Sequence, residues 1–313
     1  MEFVQTDKIL EVRPDTKEYV RKLYNLDKPG SLEDAINILK EWVQMQPHFN
    51  KKDFSDRYLE TYIIVNKGSV ERAKEQLDRL CTMKTVLPQY FGNYNIKTDF
   101  EYLHDVANSF LLPKLTEDHY RVNVIKFFNV AWEPNKSINF YRHNVILAEY
   151  VKAHDYLSGF VMIIDCTESN LMNLLKNINP VQLRQALSIF IQGFGMRIKG
   201  IHIISKSGLV DGLVTLLKQV VSAKVGDRIN VHKTFEELHK FIPKAILPKD
   251  YGGEERSMKT LQELWLNVLS SEEHLRYLED INSATTNESC RQKDQFCEQY
   301  AGMPGTFRYL SVD

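Results

Sequence analysis

The chain has 313 residues, 43% of them hydrophobic, with 40 lysines and arginines against 41 aspartates and glutamates. That length allows one large domain with a smaller companion, and the near-cancelled charge supplies no global field to recruit nucleic acid or an anionic membrane, so any such contact must be local. The opening MEFVQTDKILEVRPDTKEYV reads as neither a signal nor a transit peptide, and no run nears the roughly 18 apolar residues of a membrane span, so the expected setting is a soluble protein of the cytoplasm.

Up to about residue 115 the periodicity is helical. Ser31-Leu32-Glu33-Asp34 resembles a capping box opening a helix in which Ile36, Leu39 and Val43 recur, and Pro47 closes it. Tyr58, Leu59, Tyr62 and Ile63 point to a second helix. Ser69 is placed to cap a third, with Val70, Ala73, Leu77 and Leu80 on one side and charges on the other. Residues 1–114 therefore read as a small helical bundle.

Beyond 115, short apolar runs alternate with longer amphipathic stretches. The runs are Val122–Phe128, Phe160–Ile164, Ile201–Ile204 and Ile229–Val231, and helices are expected near 137–155, 180–194 and 208–222. Thr234-Phe235-Glu236-Glu237 repeats the capping-box pattern. Strand and helix in alternation predict an α/β fold, a mostly parallel sheet with crossover helices, over 115–281. Residues 282–313 read as an irregular C-terminal extension. Cys81, Cys166, Cys290 and Cys297 form no CxxC pattern, which points to reduced thiols; Cys290 and Cys297 flank a short segment and could pair under oxidation.

One helix is unusual. Rotated at about 100° per residue, the stretch GLVDGLVTLLKQVVSAKVGDRI gathers Leu209, Val210, Leu213, Val214, Leu216, Leu217, Val220 and Val221 into an arc of about 160°, against the ~100° typical of a surface helix. It then ends in Lys224 and Arg228. Such a face fits either a deeply buried core helix or a lid over an apolar cavity.

Enzymatic signatures are missing. Gly193-Phe194-Gly195 begins like a dinucleotide fingerprint, but Ile198 stands at the third glycine and the segment follows a helix. There is no phosphate loop, nucleophile elbow or HExxH, and His232 with His239 straddle a helix start, which favours neither an enzyme nor a metal site. Asp165 and Cys166 end a predicted strand, where an aspartate commonly caps the following turn.

Several stretches together give a resemblance: Trp42, Gln46 and Pro47, Ser69-Val70-Glu71-Arg72-Ala73-Lys74, FVMIID at 160–165, RIKGIHII at 197–204, the 208–222 helix, DRINVH at 227–232 and LPKDYGGEE at 247–255. In this order and spacing the chain resembles the CRAL-TRIO lipid-binding family, with its tocopherol and retinaldehyde carriers, over about residues 30–280; the ending GTFRYLSVD resembles the insect branch. The resemblance implies an N-terminal helical domain, a sheet that floors an apolar ligand cavity, and a helical gate at 208–222. It implies ligand contacts from Tyr141, Asn144, Val145 and Ala148, from Phe160 and Ile164, from Ala186, Ile189 and Phe190, and from Leu209, Leu213 and Leu217. Asn144 is the polar member, whose buried amide needs a partner that a ligand could supply.

It also implies a phosphoinositide site at Arg197, Lys224 and Arg228, with Lys199 beside them. The family's N-terminal basic residue is replaced here by Tyr62-Ile63-Ile64, with Lys67 and Arg72 further on. Relatives commonly carry a proline where this chain has Gly193-Phe194-Gly195, so a looser wall is expected near the gate. The expected protein carries one small hydrophobic molecule, a retinoid, tocopherol or similar lipid, uses no cofactor or metal, and meets phosphoinositide-containing membranes transiently. Phospholipid exchange and a non-transferring membrane adaptor are the competing functions.

Overall fold

The computed structural model describes residues 9–130, 132–133 and 136–291; Cys297 and the GTFRYLSVD ending lie outside them. The N-terminal part consists of helices α1 (Thr16–Leu23), α2 (Ser31–Met45), α3 (Asp56–Val65) and α4 (Val70–Val86). Ser55 and Ser69 cap α3 and α4, accepting from the backbone N–H of Tyr58 and Arg72. Ser31 does not cap α2. Gly30 takes the N-cap position at φ 79°, a left-handed conformation cheap only for glycine, and the Ser31 hydroxyl donates back to Lys28. Leu39, Val43, Leu59, Ile63, Leu77 and Leu80 form the bundle's core.

A single turn, α5 (Leu103–Val106), leads into β1 (Ala107–Leu111), β2 (Tyr120–Phe127) and α6 (Ile138–His154). Then follow β3 (Gly159–Asp165), α7 (Leu171–Asn177), α8 (Pro180–Ser188) extended by a π turn over Ile189–Gly193, and β4 (Ile198–Ile204). The chain continues through α9 (Val210–Val220), α10 (Ala223–Gly226), β5 (Ile229–His232), α11 (Phe235–Leu238), α12 (Met258–Leu269) and α13 (Glu272–Asn282). The sheet order is β1-β2-β3-β4-β5, parallel except for β1 against β2. The four apolar runs are the four parallel strands. β1 is an additional strand within the segment read as helical.

Sequential strand order with crossover helices puts the connections on one face of the sheet. Alternation along the strands then divides the side chains: Asn123, Ile125 and Phe127 of β2 and Phe160, Met162 and Ile164 of β3 turn toward α6, α8 and α9. The other face is covered by the chain after β5, where the Tyr251 hydroxyl donates to Asp165 at 2.9 Å and the Phe241 ring lies 4.9 Å from His202.

Two buried ion pairs fix the frame. Arg121 grips Asp155 through two bonds of 2.7 Å, both residues fully buried, and donates to the Leu112 carbonyl as well. Lys84 of α4 lies 2.8 Å from Glu149 of α6 and donates to the Ile281 carbonyl, tying the bundle to the sheet domain and to α13. The Gly193-Phe194-Gly195 turn is not a loosened wall. It packs against α4, where a Cβ on Gly193 would meet Leu80 and Met83 and one on Gly195, at φ 72°, would run into the Gln76 amide.

Candidate functional site

Between the sheet and α6–α9 lies a cavity of about 150 Å³. Its floor is the strand face just described, with Leu111 of β1 and Ile198 of β4 at its edges. Its roof is Phe140, Tyr141, Asn144, Leu147, Ala148 and Val151 of α6, and its far walls are Leu183, Ala186 and Leu187 of α8, Phe190, and Leu213 and Leu217 of α9. Phe127, Phe140 and Trp132 form an aromatic end, with ring centroids 5.6 to 5.9 Å apart. None of the residues lining this cavity is charged.

Nine of the expected contacts border it: Tyr141, Asn144, Ala148, Phe160, Ile164, Ala186, Phe190, Leu213 and Leu217. Val145 and Ile189 do not. They turn into the bundle core, and Leu209 stands at the surface, ahead of α9. The Asn144 amide finds its partners inside the chain: Ser109 donates to its Oδ1 at 2.7 Å, and its Nδ2 donates to the Phe140 carbonyl at 2.8 Å. Asn123 is the polar lining residue that the sequence reading passed over. Its place inside the run Val122–Phe128, where every second side chain must face an interior, was the available signal.

A second chamber of about 50 Å³ shares Ala148, Val151, Phe160 and Met196 with the first, and also meets Arg57, Thr61 and Lys152. The Lys152 ammonium has no hydrogen-bond partner and sits 3.4 Å above the Tyr62 ring. Burial pushes its pKa down to about 7.

α9 closes one side of the cavity with little hold on the body. Of its wide apolar face only Val210 and Leu213 are fully buried; Val214, Leu216, Leu217 and Val220 are half-buried. Gly212 lets it approach α7, since a Cβ there would sit 3.1 Å from Leu175.

Beside this helix the cations gather. Arg197 donates to the Ile64 carbonyl at 2.9 Å and to the Tyr24 hydroxyl, with its guanidinium 4.7 Å from the Tyr24 ring centre. Lys199 lies over Tyr120 at 5.0 Å, and Arg228 donates to the Ile198 carbonyl. Burial, then repulsion by Arg197, Arg228 and Lys67, lowers the Lys199 pKa, which puts these four charges within one another's field. Lys67, held at φ 59° just after α3, joins the cluster from the N-terminal part. Lys224 stands exposed on α10 and is not among the charges that shift Lys199.

Other residues with chemical potential are engaged structurally. Asp165 accepts from the N–H and hydroxyl of Thr167 and from Tyr251, so it caps the turn after β3. Burial raises the Cys166 thiol to about 12, far from a reactive thiolate. His232 bonds His202 at 2.9 Å, and His239 bonds the Tyr251 carbonyl at 2.7 Å. Among the described residues no three His, Cys, Asp or Glu side chains are grouped to hold a metal, and no helix is long and apolar enough to cross a membrane.

The profile of the CRAL/TRIO domain matches residues 107–253, and that of the Pinta-like UBA domain matches residues 28–100. An alpha-tocopherol transfer protein-like protein of Mus musculus is 23% identical over 253 residues, 79% of this chain and 72% of that protein; its Homo sapiens counterpart is 22% identical over the same shares. The crystal structure of Sfh5 superposes with a TM-score of 0.52 at 13% identity, covering 87% of this chain and 99% of the other, a likeness of fold alone.

Proposed function

Since residues 107–253 are a CRAL/TRIO domain, of a family that binds and transfers lipophilic ligands, we propose that this chain is a carrier of one small hydrophobic molecule that it exchanges at membranes. The observation that carries the reading is the uncharged apolar cavity walled by α9, a helix whose broad apolar face is only partly covered. Apolar area leaving water stabilises a complex by about 25 cal/mol per Å², enough for a well-enclosed lipid to compete with a bilayer. An engineered apolar void of similar size takes a benzene-sized guest, so a retinoid- or tocopherol-sized cargo requires the wall to yield. α9 is the part of the wall with the least to lose by moving.

Release needs a ligand that favours the open state, because only differential affinity shifts such an equilibrium. We assign that role to an anionic headgroup, a phosphoinositide, engaging Arg197, Lys199 and Arg228, with Lys224 exposed nearby and Lys67 in place of the family's missing N-terminal cation. Guanidinium forks and ammonium groups converging on one spot suit a phosphate. An enzymatic role has no support in a cavity walled by apolar side chains. The test is transfer of a fluorescent lipid from the protein to vesicles with and without phosphatidylinositol bisphosphate. Replacing Arg197, Lys224 and Arg228 by Ala is expected to remove the phosphoinositide-dependent acceleration and leave ligand binding intact. Equal acceleration in the variant would refute the headgroup assignment.

A further inference from the structure

Within the cavity one polar group is left over. Asn123 is 7% exposed, lies among the cavity residues, and its Oδ1 makes no hydrogen bond. Its cross-strand partners are apolar, Leu111 on β1 and Met162 on β3. The nearest polar pair on that side, Ser109 with Asn144, is already satisfied between its own members. Ser109 faces Ile125 in the register, so it is a diagonal neighbour of Asn123, about 7–8 Å away along the sheet. A trapped water would need two to four polar partners, and these walls offer few.

A buried amide without a partner destabilises the empty protein, so its presence on an otherwise apolar floor calls for an occupant that completes it. Resting on the carrier reading above, we infer that Asn123 holds the polar end of the cargo and that the cargo is a neutral lipid alcohol. The Oδ1 atom needs a donor. A hydroxyl supplies one, whereas a hydrocarbon, an ether, an ester, an aldehyde or a carboxylate does not. Turned over, the amide would present N–H donors instead, and a hydroxyl oxygen accepts from them equally well. A carboxylate is further opposed by the absence of any charged residue in the lining, since an ion buried without a counter-charge is expensive. The one cation within reach is Lys152, in the adjoining chamber.

The experiment uses the full chain with 1,6-diphenylhexatriene, an uncharged dye that fluoresces in apolar cavities, displaced by farnesol, farnesyl methyl ether or farnesoic acid at pH 8. These share one chain and differ at the polar end. Wild-type protein is expected to prefer the alcohol over the ether by about tenfold, the scale of one hydrogen bond that satisfies a buried group. In Asn123→Leu the preference is expected to fall to less than about twofold, with ether affinity unchanged. A preference that survives in the variant, an alcohol and ether bound equally by wild type, or an acid bound as tightly as the alcohol would each overturn the inference, the last by moving the polar end to Lys152. The wild-type comparison decides the question even should the variant not fold. Failure of the dye and all three probes to bind would instead overturn the carrier reading itself.

Discussion

At Asn123 and Lys152 the chain keeps polar groups where an apolar side chain would pack without loss, and both should register in stability. Replacing an unpartnered buried amide by an apolar side chain of similar size removes a desolvation penalty of about 1–3 kcal/mol. Ligand-free Asn123→Leu is therefore expected to melt a few degrees above wild type, a gain that ligand should narrow by stabilising wild type more; calorimetry with and without farnesol checks both. Lys152 follows a related logic. Burial holds its folded pKa near 7, below the 10.5 of a free lysine, so between those values the unfolded chain binds the extra proton and stability rises with pH. The Tyr62 face at 3.4 Å offsets part of that cost. Lys152→Met should raise the melting temperature at pH 7 and flatten its rise toward pH 10. An unchanged slope would show that the ammonium is not the titrating group. Of these two residues, Asn123 was legible as a polar interruption of an apolar strand. Lys152 was not, because on a predicted helix a lysine reads as solvated face until the packing of the bundle against α6 is known.

Among the elements, α9 is the one whose sequence and packing disagree with an ordinary core helix. Its wide apolar arc was plain from periodicity, and the structure leaves much of that arc half-covered. Segments with few buried contacts open locally at low free energy. Backbone amides of 210–220 are accordingly expected to exchange hydrogen at least about tenfold faster than those of β3 and β4, and to be protected when ligand is bound. Exchange as slow as in the central strands would argue for a fixed core helix. The wall beside α8 behaves oppositely: Gly195→Ala places a Cβ at φ 72° and into the Gln76 amide, and should cost on the order of 1–3 kcal/mol measured by urea denaturation. The four parallel strands were readable as continuous apolar runs because both of their faces are buried. β1 was not, since five residues after a helical turn carry too little periodicity to separate strand from helix. The cap of α2 was misplaced for a similar reason: Ser31 has the right chemistry, but the left-handed Gly30 takes the N-cap position.

Taken as a whole, the molecule buries histidines in neutral form around its sheet and helices. Burial holds His143 and His202 near 4 and His274 near 3, against 6.5 for a free imidazole. A depressed base favours the fold only while it stays neutral. As pH falls below about 6.5 the unfolded chain protonates first, and stability is lost progressively down to the folded values, by up to about 1.4 kcal/mol per pH unit for each histidine. The melting temperature should thus fall between pH 6.5 and 5, and His274→Phe should shallow that fall without altering ligand binding. The same global view explains what sequence could and could not say about the basic cluster. Arg197, Lys199 and Arg228 lie on or beside neighbouring strands and were readable as a group, whereas Lys67 comes from the N-terminal part and joins them only through the packing of α3 against the sheet domain.

The central claim, that the cavity carries one small neutral lipid, is tested most directly by organic extraction of the protein purified from its native source, followed by mass spectrometry. A single hydroxyl-bearing lipid near one equivalent per chain is the predicted result. A mixture of diacyl phospholipids, or an extract with no lipid, would contradict it.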